Sequence, residues 1–261
     1  MSNWRRRTLL LAPLLMAVPA GVSAADSDIG VVLMHGKWGT PDRFISTVEL
    51  ELKGAGVRVI SKEMPWSELR AYDAGWDDAM AQIDGEVASL KAAGARRIVV
   101  GGHSMGANAA LGYGALHPDI AGVIVLAAGH TPERAARRPE IAASLEKAHG
   151  ALGSARADQY ANFADFNQGR TKDVSAKPAV YLSYFDPDGP AVMPRNTAKL
   201  SPDTALLWVV GTKDPLYREG AGYAFDRAPR NPRSRFVTVE ADHAGTPAAA
   251  RRIVLDWVRD L

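Results

Sequence analysis

The 261-residue sequence predicts an α/β fold with a mostly parallel sheet of about six strands and helices on both faces. Two observations carry this prediction. Short apolar runs rich in β-branched residues alternate with stretches in which apolar residues recur at helical spacing, which is typical of βαβ units. Polar residues that could carry out chemistry follow several of these apolar runs directly, at the strand ends where open parallel sheets collect ligand-facing side chains.

The predicted elements can be placed along the chain in order. Six segments are predicted strands: DIGVVLMHG (28–36), VRVIS (57–61), RIVVGG (97–102), IAGVIVLAAGH (120–130), ALLWVVGTKD (205–214) and SRFVTVEADH (234–243). A helix is predicted to about Gly54, with Thr40 as its N-cap and Pro41 at its first position. Three further helices are predicted over 71–95, 105–116 and about 246–260.

About seventy residues between the fourth and fifth predicted strands interrupt this alternation. An unstructured loop of that length is uncommon in a compact domain, so we expect an inserted helical cap at about 131–201. The insertion is charged and predicted to be helical up to about Gln168. Residues 178–187 fit either an additional strand or part of the cap, and both interpretations stay open.

Residues 1–24 have the features of a cleaved signal peptide. Arg5, Arg6 and Arg7 precede an apolar run that ends at Val18, and the small residues Val-Ser-Ala close the segment. We therefore expect a single mature domain over 25–261 that is periplasmic or secreted, exported by the Sec or the twin-arginine route. No stable membrane association is expected after cleavage.

Composition excludes several classes of function. The three leader arginines account for the formal net charge of +2, so no nucleic-acid partner is predicted for the mature domain. The chain has no cysteine, which excludes a cysteine nucleophile and thiolate metal sites. No metal-binding or nucleotide-binding motif is present, and no cofactor is expected. The oligomeric state stays open.

A serine between glycines marks the junction of the third strand with the next helix. Residues 102–106, Gly-His-Ser-Met-Gly, fit the G-x-S-x-G pattern of a nucleophile elbow, in which a sharp turn exposes the serine. A Cβ at Gly102 or Gly106 would collide with the neighbouring strand or helix. The pattern alone is weak, and the alternative is a tight turn in which Ser104 merely caps the helix.

Three other segments add to this interpretation. After the first strand, residues 35–39 (His-Gly-Lys-Trp-Gly) form a glycine turn that could direct the backbone N–H of Lys37 at a developing oxyanion, with the N–H of Met105 as the second donor. The Lys37 side chain is then expected to tolerate substitution, and the His35 side chain to be structural. Asp214 and His243 each follow a later strand. The alternative for Asp214 is an Asx-turn before Pro215.

The chain resembles the α/β-hydrolase superfamily in four segments, which match its oxyanion segment (HGKWG), nucleophile segment (GHSMG), acid segment (VVGTKDP) and base segment (EADH). The order nucleophile, acid, base along the chain is the order found in that superfamily. The resemblance runs from Asp28 to Leu261, except for the insertion. It implies an α/β-hydrolase fold in a compact form and an exported serine hydrolase with Ser104, Asp214 and His243 as the catalytic residues. The implied substrate is a small-molecule carboxylic ester or thioester. Trp38, His130 and Tyr181 are candidates for contacts with that substrate.

Two other functions remain as alternatives. The same site could catalyse another acyl transfer, as in a peptidase, an acyltransferase or a perhydrolase. A hydrolase-fold protein without catalysis is also compatible with the fold, because fold does not establish function.

Overall fold

A six-stranded, fully parallel sheet forms the centre of the molecule. The computed structural model describes residue 1 and residues 28–261, so the predicted signal peptide, apart from Met1, lies outside the described residues. The strands of this sheet are β1 (Ile29–Met34), β2 (Arg58–Ile60), β3 (Arg97–Ser104), β4 (Gly122–Ala128), β7 (Ala205–Gly211) and β8 (Arg235–Val239). Their order is β2-β1-β3-β4-β7-β8, which confirms the predicted fold class.

Helices cover both faces of this sheet and divide the core into two clusters. The covering helices are α1 (Ser46–Gly54), α2 (Trp76–Ala92), α3 (Met105–Leu116) and α8 (Thr246–Arg259). Val31 packs in the cluster that contains α1 and α8, whereas its neighbour Val32 packs in the cluster that contains α2 and α3. Successive residues of a strand point to opposite faces, so strands covered on both sides are apolar throughout. In β1, β4 and β7 every residue is buried.

The first helix begins later than the sequence predicts. The hydroxyl of Thr40 donates to the side chain of Asp42 at 2.6 Å instead of capping a helix at Pro41. Phe44 has a φ of 65°, which is incompatible with a continuous right-handed helix. Helix α1 therefore starts at Ser46, after the fully buried Ile45.

The segment between β4 and β7 contains more than helices. It forms α4 (Pro132–Ala135), α5 (Pro139–Leu152), an antiparallel hairpin of β5 (Ala161–Asn167) and β6 (Arg170–Ala176), then α6 (Pro178–Phe185) and α7 (Met193–Thr197). The expectation of helix up to Gln168 is therefore wrong. Gln168 and Gly169 both have positive φ and form a two-residue hairpin loop, a geometry that follows the twist of paired strands. Residues 178–185 are helical, so of the two interpretations left open for 178–187 the structure supports a part of the cap rather than an additional strand.

No helix in the described part of the chain is long and apolar enough to cross a membrane.

Candidate active site

Ser104 lies at the turn from β3 to α3 in a strained backbone conformation. Its φ of 56° and ψ of −114° fall outside the regions that residues with a side chain ordinarily adopt. A Cβ on Gly102 would come within 2.6 Å of the Met34 carbonyl oxygen, and one on Gly106 within 2.7 Å of the His35 carbonyl oxygen. The glycines therefore let β1, β3 and α3 approach closely enough to form this turn, as the sequence predicts.

Asp214 and His243 meet at the same edge of the sheet. The Nδ1 atom of His243 lies 2.6 Å from Oδ2 of Asp214, and both side chains are largely buried. A carboxylate can only accept, so Nδ1 carries the proton and Nε2 is left as an acceptor. Oδ1 of Asp214 accepts the Leu216 N–H at 2.7 Å, so the predicted alternatives for this residue, an Asx-turn and a partner for His243, occur together.

Asp242 is directed away from the imidazole. Its Oδ1 accepts the Gly245 N–H at 2.7 Å, and its carbonyl oxygen accepts the hydroxyl of Thr246. Asp242 therefore serves the start of α8, although it is adjacent to His243 in the sequence.

The Nε2 atom of His243 is buried and has no hydrogen-bond partner among the described residues. The bond to Ser104 Oγ is thus not made in this structure. Oγ instead lies beside Gly129, where an added Cβ would collide with it. Nucleophile–base hydrogen bonds are often long or absent before substrate binds, and Ser104 and His243 line the same two clefts.

His103, the residue before Ser104, contacts both the backbone and the ring of His243. Its Nε2 lies 2.9 Å from the His243 carbonyl oxygen, and the two rings are 4.8 Å apart. Burial lowers the pKa of His103 to about 3, so the ring is neutral at neutral pH and its Nε2–H donates to that carbonyl. Sequence reasoning missed this role, because the position is variable in the G-x-S-x-G pattern.

The turn after β1 is fixed by hydrogen bonds at most of its backbone groups. His35 Nδ1 donates to the Gly36 carbonyl oxygen at 2.8 Å, and His35 Nε2 accepts the Met64 N–H at 3.0 Å. The prediction of a structural His35 is confirmed. The N–H of Gly39 also donates to Gly36, and that of Trp38 donates to the Trp66 carbonyl oxygen.

The side chain of Lys37 is buried rather than free at the surface. Its Nζ lies 2.6 Å from Oδ1 of Asp165 in β5, with 4% of the Lys37 side chain exposed. Burial lowers the pKa of Lys37 and the adjacent Asp165 carboxylate opposes that shift. This buried ion pair argues against the expectation that the Lys37 side chain tolerates substitution. Lys37, at the middle of the turn, lines both clefts together with Ser104. Met105, the residue after Ser104, begins α3.

The other candidate residues differ in their access to the site. Trp38 lines the second cleft and donates its Nε1–H to Asp165 at 2.7 Å. His130 lines the first cleft, and its Nε2 lies 2.7 Å from the Tyr184 carbonyl oxygen. Burial lowers the pKa of His130 well below its ordinary value. Tyr181 does not reach either cleft.

The assignment of Tyr181 to substrate binding is wrong for a packing reason. The side chain is fully buried, and its ring stacks between Phe163 and Phe185 at centroid distances of 4.5 and 4.3 Å. Its hydroxyl donates to the Ala164 carbonyl oxygen at 2.8 Å. Tyr181 therefore attaches α6 to the hairpin. Phe185, one helical turn later, is the aromatic residue of α6 that lines the first cleft.

Two clefts of similar size meet at Ser104 and His243. The first cleft has a volume of about 480 Å³, and its distinctive lining comes from the insertion, with Ile141, Phe166 and Phe185. The second cleft has a volume of about 470 Å³ and is lined by the turn after β1 and by Phe44. Asn167, at the end of β5, and Gln168, in the hairpin loop, border both clefts. A molecule bound across Ser104 would thus place one half on each side of that turn.

The geometry agrees with comparisons to known proteins. A model of the alpha/beta hydrolase family matches residues 31–254. No curated protein matches the sequence significantly. Similar solved structures include one reported with the metagenome-derived lipolytic enzymes LipS and LipT, which has 16% identity, a TM-score of 0.63 and coverage of 90% of this chain and 95% of that chain.

Two further structures have comparable similarity. The monoacylglycerol lipase of Paleococcus ferrophilus has 18% identity and a TM-score of 0.62, with coverage of 88% of this chain and 94% of that chain. Est1E of Butyrivibrio proteoclasticus has 19% identity and a TM-score of 0.61, with coverage of 90% and 87%. At these identities the structures show a shared fold. The family match extends over most of the sequence, and the chain therefore belongs to the alpha/beta hydrolase family.

Proposed function

We propose that this protein is a serine hydrolase that cleaves carboxylic esters, with Ser104 as nucleophile, His243 as general base and acid, and Asp214 as the partner of the imidazole. The observation that carries the proposal is the His243–Asp214 pair, which leaves Nε2 of His243 without a partner, while His243 and the strained Ser104 line the same clefts. Esterase and lipase structures among the similar folds support the choice of ester over other substrates.

The reaction follows from the protonation states. Ser104 Oγ attacks the carbonyl carbon and transfers its proton to Nε2 of His243, while Asp214 stabilises the resulting imidazolium. The carbonyl oxygen becomes an oxyanion. When the bond to the leaving group breaks, Nε2 returns the proton to the alkoxide and the acyl group stays on Oγ. Water then attacks the acyl-enzyme with His243 again as the base, which releases the acid and restores Ser104.

The backbone N–H groups of Lys37 and Met105 are the proposed oxyanion donors. The amide of Gly39 is already engaged within the turn after β1 and that of Trp38 with the Trp66 carbonyl oxygen. Met105 opens α3, whose N-terminal end favours negative charge. Each such donor typically contributes about 3 kcal/mol to the stability of the transition state. Because these donors belong to the main chain, they depend on how the loops are held rather than on side-chain identity.

The two clefts support a small-molecule ester with a substituent on each side of the scissile bond. Neither cleft requires the leaving group to be an alcohol, so thioesters fit the same mechanism. Peptide hydrolysis, acyl transfer to an acceptor other than water, and perhydrolysis would use the same acyl-enzyme. A folded protein without turnover is the alternative from a different class.

A labelling experiment tests the proposal. A fluorophosphonate should modify Ser104 alone, as mapped by mass spectrometry, and Ser104→Ala should abolish hydrolysis of p-nitrophenyl butyrate without changing the melting temperature by more than a few degrees. Labelling elsewhere, or activity retained in the alanine variant, would contradict the assignment. Panels of esters, thioesters and peptides at equal concentration then separate the acyl-transfer alternatives.

We also propose export, on the sequence of residues 1–24 alone. Expression of the full chain in a Gram-negative host should give a periplasmic protein whose N-terminus is Ala25 or Asp26. Recovery of a cytoplasmic product that retains Met1 would contradict this proposal.

A further inference from the structure

The carboxylate of Asp165 is fully buried in the hairpin and accepts three hydrogen bonds. Oδ1 accepts from Lys37 Nζ at 2.6 Å, and Oδ2 accepts from Trp38 Nε1 at 2.7 Å and from the Tyr72 hydroxyl at 2.9 Å. All three donors come from outside the hairpin, and two belong to the turn after β1. A buried charge is unfavourable unless it is paired and hydrogen-bonded in this way. The carboxylate therefore joins the insertion to that turn.

Two other contacts between the hairpin and the same turn involve Lys37. Its Nζ also donates to the Phe166 carbonyl oxygen at 3.3 Å, and the Asn167 side-chain amide donates to the Lys37 carbonyl oxygen at 3.4 Å. The hairpin thus holds Lys37 by its side chain and by its carbonyl. On the other side of the residue, the Gly36 carbonyl oxygen accepts from His35 and from the Gly39 N–H.

These contacts fix the peptide group that carries the proposed oxyanion donor. The Lys37 N–H belongs to the same planar unit as the Gly36 carbonyl, so fixing that carbonyl and the Lys37 Cα fixes the direction of the N–H. The Gly36 end is fixed from within the turn, whereas the Lys37 end is fixed by Asp165. Without Asp165, the strongest attachment of the Lys37 side chain would be lost while its ammonium remained buried.

We propose that Asp165 is a positioning residue of the reaction, which acts through Lys37 and Trp38 to hold the Lys37 N–H in the orientation that stabilises the oxyanion. This inference rests on the proposed function. It also explains why the side chain of Lys37 is buried although only its main chain is proposed to contact substrate. Tyr72 donates to the same carboxylate but lies outside the turn after β1, and it offers a matched control.

The test uses three variants and a pair of substrates. Asp165→Asn keeps the shape and removes the charge. The double variant Lys37→Met with Asp165→Asn removes the ion pair without a buried lone ammonium, since the asparagine oxygen can still accept from Trp38 and Tyr72. Tyr72→Phe removes one donor to Asp165. Each protein is assayed on an oxygen ester and on the matching thionoester, whose C=S group accepts hydrogen bonds weakly, and is melted thermally.

We expect both Asp165 variants to lose about 10- to 100-fold in kcat on the oxygen ester with KM changed by less than about threefold, because misplacing a reacting group costs of this order. The loss on the thionoester should be clearly smaller, so the preference for the oxygen ester falls. Tyr72→Phe should keep kcat within about twofold, whatever it does to the melting temperature.

Equal losses on both esters, or a kcat that follows the melting temperature across all three variants, would reduce Asp165 to a structural residue and overturn the proposal. Failure of both Asp165 variants to fold would overturn it too, because the carboxylate would then be a requirement of the fold. Ser104→Ala, assayed in parallel, separates the two hypotheses. Activity that persists in Ser104→Ala refutes the proposed function, whereas Ser104-dependent activity that is indifferent to Asp165 refutes only this inference.

Discussion

Replacing Asp214 by asparagine should reverse the tautomer of His243. The carboxylate accepts the Leu216 N–H through Oδ1 and the His243 Nδ1–H through Oδ2. Asparagine has one acceptor oxygen, and the Leu216 amide can only donate, so the oxygen stays with Leu216 and the NH₂ group faces the imidazole. His243 then accepts at Nδ1 and carries its proton on Nε2, where it cannot take the proton of Ser104.

The size of the effect follows from these two hydrogen bonds. Rotating the asparagine side chain to restore the productive tautomer would leave the Leu216 N–H facing an NH₂ group in a buried site, which costs about 2 kcal/mol. The neutral amide also stabilises the imidazolium less than the carboxylate does, by about 2 kcal/mol for a charge-assisted bond. Together these losses raise the barrier by about 4 kcal/mol, or about 10³-fold in kcat.

The assay compares Asp214→Asn with Asp242→Asn on p-nitrophenyl butyrate, with the concentration of active sites fixed by fluorophosphonate titration. Asp242 Oδ1 accepts the Gly245 N–H just before α8, and an asparagine oxygen can accept that N–H equally well. We expect Asp242→Asn to lose no more than severalfold in kcat. The reasoning is refuted if Asp214→Asn is nearly as active as the unmodified protein, or if Asp242→Asn is the more damaging substitution.

Three further predictions follow from the packing around the site. Burial lowers the pKa of His103 to about 3, against about 6.5 in the unfolded chain, so between these values only the unfolded state binds a proton at this residue. The free energy of unfolding should therefore fall as the pH drops below about 6.5, and at pH 5 the loss from this residue is about 2 kcal/mol. Urea titrations at pH 7 and pH 5 should show this loss, and His103→Gln should reduce it; an equal loss in both proteins would contradict the assignment. Gly106→Ala should prevent the turn at Ser104 or unfold the protein, because its Cβ would meet the main chain of β1, and a folded, fully active alanine variant would disprove that packing argument. Ile141→Ala should enlarge the first cleft and shift the preference in kcat/KM towards longer acyl chains, measured with p-nitrophenyl esters of two to twelve carbons. Each additional methylene that the enlarged cleft accommodates should contribute about 1 kcal/mol to this preference. An unchanged profile would indicate that this cleft does not receive the acyl group.

The strand ends could be predicted because the residues that indicate them are adjacent in the sequence. An apolar run, a glycine and a polar residue identify the end of a strand, and parallel strands bring such ends to one edge of a sheet. Ser104, Asp214 and His243 could therefore be placed at that edge, although they are far apart in the chain. The steric requirement for glycine at positions 102 and 106 could also be predicted, because it follows from the sharp turn that the G-x-S-x-G pattern forms.

The insertion was not predictable by the same means. Its hairpin loop needs a positive φ at both Gln168 and Gly169, and of these two residues only the glycine indicates a positive φ in the sequence. The contact between Lys37 and Asp165 joins residues 128 positions apart, and no periodicity or motif connects them. Tyr181 was misplaced because a pattern of aromatic residues does not say whether a ring reaches a cleft or packs in the core.

The two clefts are built by different parts of the chain, and this has a consequence for selectivity. Ile141, Phe166 and Phe185 of the insertion give the first cleft its apolar walls, whereas the turn after β1 and Phe44 line the second. The strand ends that hold Ser104, Asp214 and His243 belong to a sheet whose central strands are buried on both faces and leave little room for adjustment. Substitutions in the insertion should therefore reshape one half of the proposed substrate site without moving the proposed catalytic side chains. The exception is Asp165, because it joins β5 to the turn that supplies the proposed oxyanion donor, so changes at Asp165 should affect turnover rather than selectivity.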